Sequence, residues 1–185
     1  IGADISKELI AIARKNSPKD IRFEIASADN LGFLSAGSVD KITIVMAIQN
    51  IEDAAGVFKE CRRVLKPNGK LFIVMNHPAF RVPKESGWGY DEKNKIQYRR
   101  IDGYLSESKV KIQTHPGANA SDYTISFHRP LQFYFKLLGK NKFCVSRLEE
   151  WNSTRKSQPG PRAAAEDKSR KEIPLFVFIE AVKMN

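Results

Sequence analysis

The sequence has little of what staples a chain or carries it through a membrane. Only two of its 185 residues are cysteine, Cys61 and Cys144, and they form no CxxC. Neither a disulfide framework nor a thiolate metal site is expected, and two reduced thiols suit the cytoplasm. No apolar run approaches the roughly 20 residues of a transmembrane helix, so no membrane partner is expected. No charged-then-apolar leader stands at the start. The three histidines, His77, His115 and His128, show no metal-ligand spacing and no HExxH, so no metal is expected. Acidic residues are in the minority, 21 against 31 Lys and Arg, for a net charge of +10. The imbalance is uneven: residues 1–78 carry 11 basic and 9 acidic side chains (+2), residues 79–185 carry 20 and 12 (+8). That excess fits an anionic substrate, a nucleic acid, or simply a soluble basic surface.

What is present is globular. Hydrophobic residues make up 42% and aromatics 10% of the chain, enough for one domain with a sizeable core. The opening Ile1-Gly2-Ala3 reads as the end of a buried strand. Ser6 can cap a helix over SKELIAIARKN whose Leu9, Ile12 and Ala13 share one face, with Glu8 in its first turn. IRFEIAS alternates as a strand. DKITIVMAI is β-branched and apolar, as a strand buried on both faces would be. DAAGVFKECRRVL carries Val57, Phe58, Cys61, Val64 and Leu65 at helical spacing behind an Asp53 cap. KPNGK is a turn and LFIVMN a second buried strand. Strand and helix alternating at short intervals imply parallel strands with right-handed crossovers. From 79 to 126 the pattern changes to charge, Tyr and Gly, with weakly alternating runs at KIQYRRIDGYL and KVKIQTH. This reads as an inserted cap. Alternation then resumes: a helix over RPLQFYFKLLGK, a strand over KFCVSRLEEW, a loop with a short helix near Glu166–Arg170, and a last strand, LFVFIEAVK.

The order of these elements, and the stretches IGADIS, FEIASADNLGFL, RVLKPNGKLFIV, FCVSRLEEW and LFVFIEAVK, resemble the class I S-adenosylmethionine-dependent methyltransferases of the type 11 kind. The resemblance implies a three-layer αβα Rossmann-like sheet, mostly parallel with a reversed last strand. Residues 1–78 and 127–185 would form the core and 79–126 an inserted substrate-binding cap. The family's first strand and glycine-rich loop have no counterpart, and no GxGxG occurs; with no initiator Met, the chain reads as N-terminally truncated.

The resemblance also implies a cofactor, S-adenosyl-L-methionine, and places for it. Asp4, at the end of the second family strand, would accept the ribose hydroxyls, beside Ile5. Ser27, Ala28 and Asp29 would hold the adenine. Met46 and Ala47 would lie along the methionine part. No dedicated catalytic side chain is evident; His77 and His128 are the candidates for orienting the acceptor or removing a proton. Trp88, Tyr98, Arg99 and Tyr104 of the insert, with His128 and Arg129 opening the following helix, would bind a small-molecule acceptor. One rival reading is an RNA methyltransferase, supported by the basic second half and opposed by the lack of an Asn/Asp-Pro-Pro-aromatic motif after VMAIQN. The other is a non-catalytic, truncated remnant. No oligomeric state is expected from the sequence.

Overall fold

The computed structural model describes residues 1–113 and 123–185, which leaves His115 outside the described residues. The chain starts with β1 (Gly2–Asp4), α1 (Lys7–Asn16) and β2 (Phe23–Ile25). Two local bonds set the helix start: Asp4 Oδ1 accepts the Ser6 N–H at 2.8 Å, and Ser6 Oγ accepts the Leu9 N–H at 3.1 Å. β1 and β2 pair in parallel, with Gly2 opposite Phe23. A Cβ on Gly2 would come within 2.7 Å of the Phe23 ring, which occupies the space a side chain there would need.

The helix is turned differently from its sequence pattern. Ile10 is buried and Arg14 donates to Phe23 O at 2.6 Å, whereas Leu9 and Ile12 are 56% and 55% exposed. A pair of three-residue strands covers only about one helical turn, so it takes one large apolar side chain and not the whole stripe.

The larger sheet holds β3 (Val39–Val45), β4 (Leu65–Asn76), β9 (Phe143–Trp151) and β10 (Phe176–Lys183) in the order β3-β4-β10-β9. β3 runs parallel to β4, while β10 runs antiparallel to both β4 and β9. The last strand is therefore the reversed one, and the carboxyl ends of β3, β4 and β9 lie at one edge. Helices α2 (Ala54–Val64) and α3 (Leu131–Lys140) pack on one face of this sheet. The core forms there, from Val57, Phe58 and Cys61 of α2, Tyr134 and Leu138 of α3, Leu71, Ile73 and Met75 of β4, and Val177, Ile179 and Ala181 of β10. Asp53 caps α2 by accepting the Gly56 N–H at 2.8 Å. The KPNG segment bulges out of the ladder: Val39 pairs with Leu65 and Lys41 with Lys70, while Asn68 takes φ 62°.

The other face carries aromatics: Trp151 stacks on Phe178 at 5.3 Å and Phe178 on Phe72 at 6.3 Å. β3 is not buried on both faces as its composition suggests. Asp40, Lys41, Thr43 and Val45 are exposed, Val45 by 61%, because its outer edge has no strand partner among the described residues. β1 and β3 do not hydrogen-bond to each other; a cavity separates them.

The 79–126 region supplies two hairpins. β5 (Ser86–Asp91) pairs with β6 (Ile96–Ile101), and β7 (Ser108–Gln113) with β8 (Tyr123–His128). The Trp88 segment is thus a strand, which Gly87 and Gly89 conceal in the sequence. Gly89 faces Tyr98 across the hairpin, and the Tyr98 ring lies over it. His128 closes β8 instead of opening α3, and Pro130 occupies the N-cap position. Helix α4 (Ala163–Glu172) docks on β6, where Ser169 Oγ donates to Gln97 O at 2.7 Å. Arg162 pairs with Glu92 and stands 4.4 Å from the centre of the Tyr90 ring. No described helix is long and apolar enough to cross a membrane.

Candidate functional site

A cavity of about 830 Å³ lies between β1 and β3, bordered by Ala3, Asp4, Ala28, Thr43, Val45 and Ala47 among others. Three strand ends meet there. Asp4 ends β1, with Oδ1 engaged by Ser6 N–H and Oδ2 free to accept. Ile5 follows it, exposed. After β2, Ser27 O accepts the Asn30 N–H at 3.0 Å, closing a tight turn that carries Ala28 and Asp29. Asp29 is half-buried, and its Cβ packs close to the Gly56 backbone at the start of α2. After β3, Met46 takes φ 55° while its N–H donates to Val74 O at 2.8 Å. A non-glycine residue in the left-handed region costs about 1–3 kcal/mol and recurs at functional sites.

Two further groups, which the sequence pattern did not single out, hold these turns in place. Glu60 Oε1 accepts the Leu31 N–H at 2.7 Å, and Arg63 donates to Leu34 O and Leu31 O at 2.8 and 3.0 Å. The pair therefore clamps the loop after β2 onto α2. The Arg63 hydrogen bond holds the Glu60 carboxyl below its ordinary range. Gln49 exchanges bonds with the Asn76 backbone, Nε2 to O at 3.2 Å and N to Oε1 at 3.0 Å. It thereby ties the turn after β3 to the end of β4.

The two histidine candidates are anchored. His77 is buried; its Nδ1 accepts the Ala79 N–H at 3.2 Å, so Nε2 carries the proton toward Glu150 Oε1 at 2.7 Å. Both nitrogens are occupied. His128 is buried with Nε2 2.8 Å from Tyr104 O, and its Nδ1 has no partner. The Tyr104 hydroxyl accepts the Leu131 N–H at 3.1 Å, so these two residues join the segment after β6 to the end of β8 and the start of α3. Arg129 is buried between the Phe127 and Phe133 rings and donates to Ile51 O and Glu52 O at 3.0 and 2.6 Å. It fastens the segment after β3 to the base of β8.

Of the acceptor residues expected in the insert, the structure brings Trp88 and Arg99 together, with the guanidinium 5.1 Å over the indole. Tyr98 projects from the opposite side of β6. Tyr104, His128 and Arg129 form a second group at the α3 end. A third arginine, half-buried Arg81, stands 5.8 Å from the centre of the Phe176 ring. No periodic pattern marks Arg81, because it lies in the irregular turn after β4.

Residues 1–73 match a family described as a methyltransferase domain. Over 73 residues the chain is 41% identical to the demethylmenaquinone methyltransferase of Thermotoga maritima, a match covering 40% of this chain and 31% of that protein. It is 30% identical over 73 residues to the ubiquinone biosynthesis O-methyltransferase of Xanthomonas oryzae pv. oryzae, covering 38% of this chain and 30% of that one. The matched stretches thus span about a third of each curated relative. A crystal structure of an S-adenosylmethionine dependent methyltransferase from Mesorhizobium loti superposes with a TM-score of 0.75 at 26% identity, covering 98% of this chain and 79% of that one. The first 73 residues thus match the methyltransferase-domain family, and the whole chain has the fold of an S-adenosylmethionine-dependent methyltransferase.

Proposed function

We propose that the chain holds S-adenosyl-L-methionine in the cleft between β1 and β3 and supports methyl transfer to a small-molecule acceptor beneath the cap. The observation that carries this reading is the convergence of Asp4, Ala28 and Ala47, from three separate strand ends, on one cavity. The donor set fits the cofactor. Asp4 Oδ2 is a free acceptor for a ribose hydroxyl. The 27–30 turn offers backbone groups to a flat heterocycle, and the strained Met46 turn lets backbone approach an extended chain. When bound, the cofactor supplies an electrophilic methyl group on a sulfonium. The chain's own residues bind, orient and exclude water. Asp4 fixes the ribose, the Glu60–Arg63 clamp fixes the loop beside the adenine, and Gln49 and Arg129 fix the segment after β3. His77, with both nitrogens engaged, acts as a structural tie.

The cap begins at the carboxyl end of β4, the edge shared with β3, where ligands bind in open α/β sheets. Asn50, in the turn after β3, donates to Ile125 O of β8 at 2.9 Å, so the cap region touches the cofactor-side segment directly. Arg99 and Arg129 turn inward to backbone carbonyls instead of outward to a polyanion, which supports a small molecule over RNA. One curated relative named above is a demethylmenaquinone methyltransferase and the other a ubiquinone biosynthesis O-methyltransferase, but each match spans only 73 residues, and the family match ends at residue 73, before the cap. The acceptor is accordingly read from the cap itself, as an aromatic or anionic small molecule. Calorimetric titration of the 185-residue chain with S-adenosylmethionine tests the reading. Asp4→Ala should weaken binding by about 1–3 kcal/mol, the cost of unpaired polar groups. Unchanged affinity would remove Asp4 from the site, and no binding by the parent chain would remove the cleft.

A further inference from the structure

The segment after β3 serves two neighbours at once. Ala47 and Ile51 border the cavity between β1 and β3. Asn50, Ile51 and Glu52 hold the β7–β8 hairpin. Asn50 Nδ2 donates to Ile125 O at 2.9 Å and to Thr124 Oγ1 at 3.3 Å. Arg129, directly after β8, donates to Ile51 O at 3.0 Å and to Glu52 O at 2.6 Å. From β7, Lys109 Nζ pairs with Glu52 Oε1 at 2.9 Å. Lys109 and Arg129 also stand over the Phe127 ring, 5.3 and 5.0 Å from its centre. Three side chains thus join both strands of the hairpin, and its root, to three consecutive residues.

Little else places this hairpin. Among the described residues β7 and β8 pair only with each other. Only the base of β8 is buried, at Ser126, Phe127 and His128, while Tyr123 at its start is 53% exposed. The bond from His128 Nε2 to Tyr104 O stays within the insert and its root. A two-stranded hairpin is marginally stable by itself, so the seam to residues 50–52 decides whether it is docked. Elements held this way open locally at small cost. Ordering residues 47–52 serves the cavity wall and the hairpin together. Whichever neighbour binds first bears the entropy of that ordering, and the second binds more tightly for it.

We propose that cofactor occupancy and docking of the β7–β8 hairpin are coupled through this seam, with Asn50 and Arg129 as positioning residues that act through the backbone of residues 50–52. The cofactor thereby sets the cap in place for the acceptor. The identity of the ligand rests on the reading of the cleft given above; the coupling itself rests on the seam.

The test follows amide hydrogen exchange of the whole chain with and without saturating S-adenosylmethionine, whose Kd is measured by calorimetry for the parent, Asn50→Ala and Asn50→Asp. Asn50 does not border the cavity, and Asp keeps the shape of Asn while losing its N–H donors. In the parent the cofactor should slow exchange across β7 and β8 about fivefold or more. Both variants should abolish that slowing and weaken cofactor binding by the same factor, because coupling is reciprocal. Lys109→Met, made from the hairpin side, should weaken binding in the same direction. A merely structural Asn50 would leave the Kd unchanged. Cofactor binding that leaves β7 and β8 unprotected, or unchanged affinity in both Asn50 variants, would overturn the coupling and leave the cleft standing. Faster exchange of β4 and β10 in the variants would overturn it too, by showing that the seam supports the whole fold. No binding by the parent would remove the reading of the cleft, and this inference with it.

Discussion

Cys61 and Cys144 are the same side chain in opposite surroundings. Cys61 lies in the α2 core, where burial pushes its thiol up to about 12, while Cys144 is exposed on β9. The thiolate is the reactive form, so at about pH 8 the folded chain should take up one equivalent of an alkylating reagent at Cys144, and two once unfolded. Rapid labelling of Cys61 in the native chain would contradict the packing. Its neighbour Phe58 is fully buried in the same cluster. Phe58→Ala should cost about 3–5 kcal/mol, as large-to-small core changes do, read as a lower urea midpoint. At this scale the sequence was legible: both residues fall on the helical stripe of DAAGVFKECRRVL, and a stripe of that width has only one way to avoid water. Arg81 was not legible, because its burial comes from Phe176, a residue of β10 far along the chain.

The elements are held by caps and clamps, and the Glu60 clamp carries a pH dependence. Glu60 receives the Leu31 N–H and the Arg63 guanidinium, and its folded pKa lies below the ordinary 4.5. The folded state thus binds this proton less readily than the unfolded chain. The stabilisation is complete above the unfolded value and is lost as pH falls through the folded one. Glu60→Gln should therefore flatten the fall of the urea midpoint between about pH 6 and pH 3; an unchanged pH slope would show that the clamp contributes nothing. Asp53 caps α2 beside Asp29. Asp53→Ala should lower stability by about 1 kcal/mol in thermal melts. The cap was readable from DAAG, but the clamp was not, since Leu31 and Glu60 lie 29 residues apart.

Across the whole molecule, the β5–β6 hairpin and α4 behave as one body, joined by Ser169 to Gln97 and by Arg162 to Glu92 and Tyr90. The double variant Arg162→Ala/Ser169→Ala should speed hydrogen exchange in β6 and α4 together and leave β4 and β10 unchanged. Faster exchange in α4 alone would show that the two do not form a single cap. The β1–α1–β2 unit should exchange faster than the four-stranded sheet, because β1 and β3 each leave an edge unpaired toward the cavity. Equal protection of Ala3 and Ile73 would argue against an open cleft.

Periodicity determined a good deal without help from tertiary structure. The parallel α/β alternation, the Ser6 and Asp53 caps and the buried stripe of α2 are local, encoded within a few residues of one another. Asp4, Ala28 and Ala47 were named through the family resemblance, and all three border one cavity. Tertiary contacts decided the rest. α1 buries Ile10 and leaves Leu9 and Ile12 out, because β1 and β2 are too short to cover its whole stripe. β3 is bare along one edge although its composition is that of a central strand. His77 is saturated by Ala79 and Glu150. The physical reason is common to these cases. A side chain's own pattern reports how much surface it must hide, whereas which surface hides it, and which charge it meets, depends on residues far away in the chain.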